Sequence, residues 1–238
     1  MRGLLTPSTL FTMESAKTRM GRIEVVSFDM EGTLVDPSFS GLIWETEIPR
    51  LYAEQHGVSL AAARDQVLAE YMQMGDEEPE WYDADYWFRR LGLSGDWRDL
   101  LERRRGACRV YPEVRGVLER LRDRHALIIT SNTIREFLDV QLGDLSGFFA
   151  HVFSAPSDFG EVKKSAEFYR GICDIIGFAP EAVAHVGDHL KFDYEAPRRL
   201  GIHAYYLDRS GEAEDDHVVH DLKEFERMIA ALEDMLRP

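Results

Sequence analysis

The chain of 238 residues has little positive charge, little cysteine and no long apolar run. Its 28 lysine and arginine residues face 43 aspartate and glutamate residues, which gives a formal net charge of −15. Nucleic acids and anionic membrane surfaces repel such a chain, so neither is an expected partner. Only five of the basic residues are lysine, and none lies between Lys17 and Lys163.

The two cysteines, Cys108 and Cys173, cannot form a disulfide framework, and neither has the spacing of a metal site. A reducing, cytoplasmic compartment is therefore expected. No apolar stretch approaches the roughly 18–20 residues that span a bilayer, so no membrane association is expected. The content of 45% hydrophobic and 30% charged residues is typical of a globular protein.

Short apolar, β-branched runs alternate with helical patterns along much of the chain. The runs predict strands over 23–30, 126–131, 151–154, 182–188 and 203–208. Apolar residues at helical spacing predict helices over 113–123, 165–176 and 221–236. Because such alternation is typical of βαβ units, we predict an α/β fold: a Rossmann-like parallel sheet flanked by helices.

Residues 38–104 interrupt this alternation. They contain all four tryptophans and helical patterns over 43–56 and 60–74, but no convincing strand. We predict that this stretch is an all-helical domain, inserted after the first strand. The predicted Rossmann-like core then comprises 21–37 and 105–238, and 1–20 are expected to form a loosely packed extension.

Polar residues follow three of the predicted strands at the points where those strands end. They are Asp29, Glu31 and Thr33, then Ser131 and Asn132, and finally Asp188 and Asp193. Ligands of an open parallel sheet bind at this edge. Carboxylates are typical Mg²⁺ ligands, and an ammonium group such as that of Lys163 can neutralise a phosphate. The sequence therefore predicts a site for Mg²⁺ and a phosphate.

Four motifs in this order resemble those of the haloacid dehalogenase superfamily. The string Asp29-Met-Glu31-Gly-Thr33 after an apolar strand is similar to the first motif, and Ser131 to the second. Lys163, ahead of an aromatic residue, is similar to the third, and Asp188 with Asp193 to the fourth. The resemblance extends over 22–238, and it implies that the insertion over 38–104 is a helical cap domain and that 21–37 and 105–238 form the catalytic core. It implies a phosphatase that hydrolyses a small phosphorylated metabolite through an aspartyl-phosphate, with Mg²⁺ as cofactor.

The resemblance also implies a role for each matching residue. Asp29 would be the nucleophile, Glu31 the acid and base, and Lys163 the catalytic cation. The substrate phosphate would contact Thr33, Ser131, Asn132 and Lys163. Mg²⁺ would be held by Asp29, the main-chain carbonyl of Glu31, Asp188 and Asp193. Lys164 is an alternative to Lys163, although the six-residue spacing from Lys163 to the aromatic Tyr169 favours Lys163.

Glu31 departs from the family pattern, in which aspartate is usual at this position. The string around it is also similar to the enolase-phosphatases of methionine salvage, so that activity is an alternative. A phosphomutase with the same site is a second alternative, and a catalytically impaired phosphate-binding or interaction module is a third. An acidic residue at this position argues against dehalogenation. The chain is expected to be a monomer or a homodimer.

Overall fold

The computed structural model describes residues 22–75 and 78–237, so the predicted extension over 1–20 lies outside them. Six parallel strands form one sheet: β1 (Val25–Phe28), β2 (Ala126–Ser131), β3 (His151–Ser154), β4 (Val183–Gly187), β5 (His203–Leu207) and β6 (Val218–Val219). Their spatial order is β3-β2-β1-β4-β5-β6. The predicted parallel α/β fold is therefore confirmed.

The α-helices of the described residues are α1 (Ser38–Leu42), α2 (Ile48–His56), α3 (Leu60–Met74), α4 (Ala84–Arg90), α5 (Arg98–Arg104), α6 (Val114–Arg122), α7 (Arg135–Leu142), α8 (Ala166–Ile176), α9 (Ala196–Leu200) and α10 (Leu222–Leu236). A π-helical turn over Ile43–Glu47 joins α1 to α2, so the helix predicted over 43–56 begins five residues earlier and contains an irregular turn. None of these helices combines the length and the hydrophobicity of a membrane span.

Both faces of the sheet are covered by helices. Val26 and Phe28 of β1 belong to the apolar cluster that contains side chains of α6 and α10. Val25, one residue away, belongs to the cluster formed with α8 and α9 on the opposite face. This two-sided burial is why the strands appear in the sequence as continuous apolar runs rather than as alternating patterns.

Residues 38–104, called the helical segment below, contain α1 to α5 and no strand in their described part. Their apolar cluster, which includes Phe39, Trp87 and Leu101, also contains Phe137 and Val140 of α7. Leu138 and Leu142 of α7 belong to the apolar cluster on the sheet, so α7 packs against both the sheet and the helical segment.

The two connections between the sheet and the helical segment lie side by side. Val35 and Val110 form an antiparallel bridge. The N–H of Asp36 donates to the carbonyl of Arg109 at 2.9 Å, and the N–H of Tyr111 donates to the carbonyl of Leu34 at 3.0 Å. The helical segment therefore leaves and rejoins the sheet at one place, next to the turn that follows β1.

Candidate active site

Asp29 lies directly after β1, at the point where the strand order reverses between β1 and β4. Its N–H donates to the carbonyl of Val186 in β4 at 2.9 Å, which holds the residue between the two strands. Ligands of open parallel sheets bind at such a switch point. Burial raises the pKa of Asp29 well above its usual value, whereas the positive charge of Lys164 acts in the opposite direction.

The cation beside Asp29 is Lys164. Its Nζ donates to Oδ1 of Asp29 at 2.5 Å and to the carbonyl of Thr130 at 3.2 Å, and it also contacts Oδ1 of Asp193. The side chain of Lys164 is only 1% exposed. Burial by itself lowers the pKa of Lys164, but the carboxylates of Asp193 and Asp29 outweigh burial and raise it. The ammonium group therefore stays charged between two carboxylates.

Lys164, the alternative in the sequence analysis, is thus the lysine that the structure places at Asp29, and we propose it for the role that the resemblance implied for Lys163. The Nζ of Lys163 lies 5.7 Å from the ring centre of Tyr82 and 5.2 Å from that of Phe192. The N–H of Lys164, two residues before α8, donates to Oδ1 of Asn132 at 2.7 Å and so anchors this part of the chain at the end of β2. The number of residues between a lysine and the next aromatic residue does not show which of two consecutive lysines faces Asp29.

Asp188 and Asp193 bring two further carboxylates to Asp29. One oxygen of each of the three lies within 4.8 Å of the others. Gly32 makes room for this arrangement, because a Cβ at that position would lie 1.9 Å from Oδ2 of Asp188. Its φ of +77° also favours glycine. The turn after β1 is therefore shaped to accept the Asp188 side chain.

The three carboxylates fit a hard divalent cation. Burial, and after it the negative charge of Asp193, raises the pKa of Asp188 to about 6. A donor set made only of oxygen atoms is typical of Mg²⁺ rather than of zinc. Both oxygens of Asp193 already accept hydrogen bonds, from Lys164 and from the N–H of His189 at 3.1 Å. Asp29 and Asp188 are therefore the better suited direct ligands, with Asp193 orienting the site.

A group of buried polar side chains, not assigned a function in the sequence analysis, lies beneath the carboxylates. Nε2 of His185 lies 3.1 Å from Oδ1 of Asp193 and 3.1 Å from the hydroxyl of Tyr169, and Nδ1 of His185 lies 2.9 Å from Oγ of Ser27. Burial lowers the pKa of His185, although Asp193 opposes this effect. These contacts position Asp193 and, through it, Lys164. The sequence signal that could have indicated this group is a polar residue inside an otherwise apolar strand, as at Ser27 in β1 and His185 in β4.

Glu31 lies two residues after Asp29, next to the helical segment. Its Oε2 accepts hydrogen bonds from Oγ of Ser40 in α1 at 2.7 Å and from Nε2 of Gln141 in α7 at 3.0 Å. Burial raises the pKa of Glu31, and the two hydrogen bonds act against burial. The carboxyl group of Glu31 thus joins the helical segment to the helix that covers the sheet.

The predicted phosphate ligands differ in accessibility. Thr33 is 0% exposed and its Oγ1 is buried without a hydrogen-bond partner among the described residues, so its contact with the phosphate stays a prediction. Ser131, also buried, ends β2, and its Oγ accepts a hydrogen bond from the N–H of Thr133 at 3.1 Å. Asn132 is partly exposed. Ser131 and Asn132 lie at the edge of the sheet that carries Asp29.

Arg209, in the loop after β5, is a site residue that the sequence analysis missed. Its Nε donates to the carbonyl of Gly32 at 3.0 Å, and its Nη2 donates to the carbonyl of Thr33 at 2.7 Å. Its Nη1 lies 2.8 Å from Oε1 of Glu113, and its guanidinium carbon lies 3.6 Å from the ring centre of Tyr111. Arg209 therefore supports the turn that carries Asp29 and Glu31. No motif in the sequence indicates this role.

A cavity of about 540 Å³ lies between Glu31 and the helical segment. Its polar side chains include Glu31, Ser40, Asn132 and Thr133. Its aromatic lining consists of Trp44, Tyr71, Trp81, Tyr82, Trp87 and Phe137. The edge of the sheet that carries the predicted catalytic residues thus opens into a mainly apolar space.

Comparisons with known proteins agree with this geometry. A family model described as haloacid dehalogenase-like hydrolase matches residues 23–201. The crystal structure of an HAD phosphatase from Thermococcus onnurineus superposes with a TM-score of 0.77 at 23% identity, covering 87% of this chain and 98% of that one. At this identity, the structural likeness concerns the fold.

Two curated relatives cover most of the chain. GMP/IMP nucleotidase YrfG of Escherichia coli (strain K12) is 25% identical over 218 residues, which are 88% of this chain and 96% of the nucleotidase. Glyceraldehyde 3-phosphate phosphatase of Pyrococcus furiosus is 26% identical over 209 residues, which are 83% of this chain and 85% of that phosphatase. Their names refer to different phosphate esters, so similarity alone does not identify a substrate.

Proposed function

The chain belongs to the haloacid dehalogenase-like hydrolases, and we propose that it is a Mg²⁺-dependent phosphatase that hydrolyses a small phosphorylated metabolite through an aspartyl-phosphate. The observation that carries this proposal is the setting of Asp29, a buried carboxylate at the switch point of the sheet, with the ammonium of Lys164 at 2.5 Å. The phosphatase and nucleotidase activities named for the relatives support the same class of reaction.

In the first step, an oxygen of Asp29 attacks phosphorus. A bond forms between this oxygen and phosphorus, the bond from phosphorus to the ester oxygen breaks, and Glu31 donates a proton to the leaving oxygen. Lys164 orients Asp29 and offsets the negative charge of the phosphoryl oxygens. The products of this step are an alcohol and an aspartyl-phosphate.

In the second step, water hydrolyses the aspartyl-phosphate. Glu31, ionised by the first step, takes a proton from the water, whose oxygen bonds to phosphorus as the bond to the Asp29 oxygen breaks. Ser131 and Asn132 donate hydrogen bonds to the phosphoryl oxygens. This step releases phosphate and restores Asp29.

Mg²⁺ would be held by Asp29, Asp188 and the main-chain carbonyl of Glu31, with Asp193 orienting the set. The ion supplies positive charge that a site rich in carboxylates needs before it can accept a phosphate ester. The short distances among the three carboxylates support this assignment, since one oxygen of each lies within 4.8 Å of the others.

The helical segment is proposed to be the cap, which excludes water from Asp29 during the first step. Support comes from Ser40, which contacts Glu31, and from the paired connections at Val35 and Val110.

The free thiols of Cys108 and Cys173 agree with the expectation of a cytoplasmic protein. The choice between monomer and homodimer stays a prediction.

The function is tested with p-nitrophenyl phosphate, with and without Mg²⁺, for the wild type and Asp29→Asn. We expect Mg²⁺-dependent release of phosphate by the wild type and a loss of about 10³-fold or more in the variant. Mass spectrometry after acid quenching should find a phosphoryl group on the peptide that contains Asp29 in the wild type only. Equal rates for the two proteins would overturn the proposal.

The same assay separates two of the alternatives from a phosphatase. A phosphomutase given an alcohol acceptor would transfer the phosphoryl group to it, so less inorganic phosphate than nitrophenol would appear. An impaired phosphate-binding module would release neither product.

A further inference from the structure

The cavity next to Glu31 is where the leaving group of a substrate would lie. This step rests on the proposed function, in which Glu31 donates its proton to the ester oxygen, so the group attached to that oxygen lies next to Glu31. The cavity lined by Glu31 extends to α1, α3 and α4 of the helical segment. Its volume of about 540 Å³ falls within the range of about 300–1,000 Å³ that is typical of small-molecule sites.

The charges around the cavity disfavour an anionic leaving group. Among the described residues that line it, the charged ones are Glu31 and Glu45, and none is an arginine or a lysine. Lys163 approaches the ring of Tyr82 without lining the cavity. A second phosphate or a carboxylate in this space would find no arginine or lysine among these lining residues to pair with.

The charges do not specifically favour a cationic leaving group either. The carboxylate of Glu45 lies 3.8 Å from the guanidinium of Arg64, and that of Glu31 accepts hydrogen bonds from Ser40 and Gln141. Both acidic groups are thus already partnered. The volume also exceeds what a small ammonium group would fill.

Five of the six rings that line the cavity form one connected set: Trp44, Tyr71, Trp81, Trp87 and Phe137. Trp44 stacks parallel to Phe137, with ring centres 5.7 Å apart and planes at 4°. Tyr71 contacts Trp44 at 5.9 Å and Trp87 at 4.6 Å, in both cases edge to face. Aromatic rings prefer such stacked or edge-to-face neighbours. A flat ring can therefore join this set, whereas a flexible polar chain gains little from it.

From these observations we propose that the substrate is a phosphate monoester of an uncharged alcohol that carries a flat aromatic ring. Both a nucleoside and a simple aryl-substituted alcohol have this chemistry. The polar phosphate end would lie at Asp29, and the ring would contact Trp44, Tyr71 and Phe137.

The test compares phosphate esters of primary alcohols, so that the chemical reactivity of the leaving groups is matched. The panel contains 2-phenylethyl phosphate, 2-cyclohexylethyl phosphate, a purine nucleoside 5′-monophosphate, glycerol 3-phosphate, phosphocholine and phosphoglycolate. We expect kcat/KM for 2-phenylethyl phosphate to exceed that for the cyclohexyl ester by about three- to tenfold. Comparison of kcat/KM for the nucleotide with that for 2-phenylethyl phosphate shows whether a nucleobase or a simple ring is preferred.

Two substitutions connect the selectivity to the cavity. Trp44→Leu keeps an apolar side chain and removes the ring, so it should abolish the preference for the aromatic ester over the cyclohexyl ester. Phe178→Leu removes a ring from a partly exposed position outside the cavity and serves as the matched control. Leu68→Arg places a cation in the cavity and should shift the preference toward phosphoglycolate.

Each outcome is decisive. Preference of the wild type for phosphocholine, glycerol 3-phosphate or phosphoglycolate would overturn the inference and leave the phosphatase intact. If the wild type hydrolyses none of these esters, the proposed function is overturned instead. The cavity would then be tested by quenching of tryptophan fluorescence, where 2-phenylethanol should bind more tightly than 2-cyclohexylethanol, and equal binding would contradict the inference.

Discussion

Lys164 lies with its Nζ 2.5 Å from Oδ1 of Asp29, although the two residues are 135 positions apart in the chain. Its neighbour Lys163 lies instead over the rings of Tyr82 and Phe192. Consecutive lysines therefore have different surroundings, and they provide a matched pair of substitutions at the candidate site.

We expect Lys164→Met to lower kcat by about 10²–10³-fold, the range seen when one charge-stabilising donor is removed. Lys163→Met should change kcat by less than about threefold, because a cation over aromatic rings at a partly exposed site contributes little. Rates on p-nitrophenyl phosphate measure both effects, and thermal melts separate lost chemistry from lost folding. Inactivation by Lys163→Met, with activity kept in Lys164→Met, would reverse the assignment.

Glu31→Gln keeps the size of the side chain but removes its ability to exchange a proton. Nitrophenolate leaves without needing an acid, so the variant should still form the aspartyl-phosphate and then hydrolyse it slowly. A rapid-quench experiment should show a burst approaching one nitrophenolate per enzyme, followed by a steady state slowed by about 10²-fold or more.

The matched control for Glu31 is Ser40→Ala, which removes one of the two hydrogen bonds to Oε2 of Glu31. We expect its steady-state rate to fall by about three- to tenfold, in line with one lost hydrogen bond to a charged group. A Glu31→Gln variant with wild-type turnover would refute the role of Glu31 as acid and base.

Arg209→Met should impair the turn after β1, because it leaves the carbonyls of Gly32 and Thr33 without their donor. We expect kcat to fall by about tenfold and the Mg²⁺ concentration for half-maximal activity to rise, with a smaller change in KM. Arg227→Met, an exposed substitution on α10, is the control. Lower thermal stability with unchanged kcat and Mg²⁺ dependence would show that Arg209 is structural only.

His125 makes folding stability depend on pH. Burial lowers the pKa of His125, while the carbonyl of Ile23, 3.0 Å from Nδ1, and the carboxylate of Glu233 act in the opposite direction. Arg124 and Arg22 lower it further. The unfolded chain therefore takes up a proton at this histidine at a higher pH than the folded chain does.

The free energy of unfolding should consequently decrease as the pH falls below about 6.5, the usual pKa of histidine. Urea titrations at pH 7.5 and pH 5.5 should show the wild type losing about 1 kcal/mol more than His125→Gln. Because the two proteins share all other titrating groups, the difference between their pH dependences isolates the contribution of His125. Identical pH dependence in the two proteins would contradict this interpretation.

The contrast between α3 and β6 shows which parts of the fold could be predicted. The helix predicted over 60–74 is α3, because Ser59 caps it and its buried residues Ala63, Val67 and Tyr71 recur at helical spacing. The strand β6 has two residues and pairs in parallel with β5. Two residues are too few for a periodic pattern, so only the neighbouring strand defines it.

The sequence by itself determined the sheet and the carboxylates at its edge. Apolar runs that end in polar residues bring Asp29, Asp188 and Asp193 to the same ends of parallel strands, whatever the remaining packing. The tertiary structure alone decided that Lys164 faces Asp29, that Arg209 supports the turn, and that aromatic residues of the helical segment line a cavity at Glu31. The physical reason is distance along the chain: periodicity and capping depend on residues a few positions apart, whereas these contacts depend on how separate helices and loops pack together.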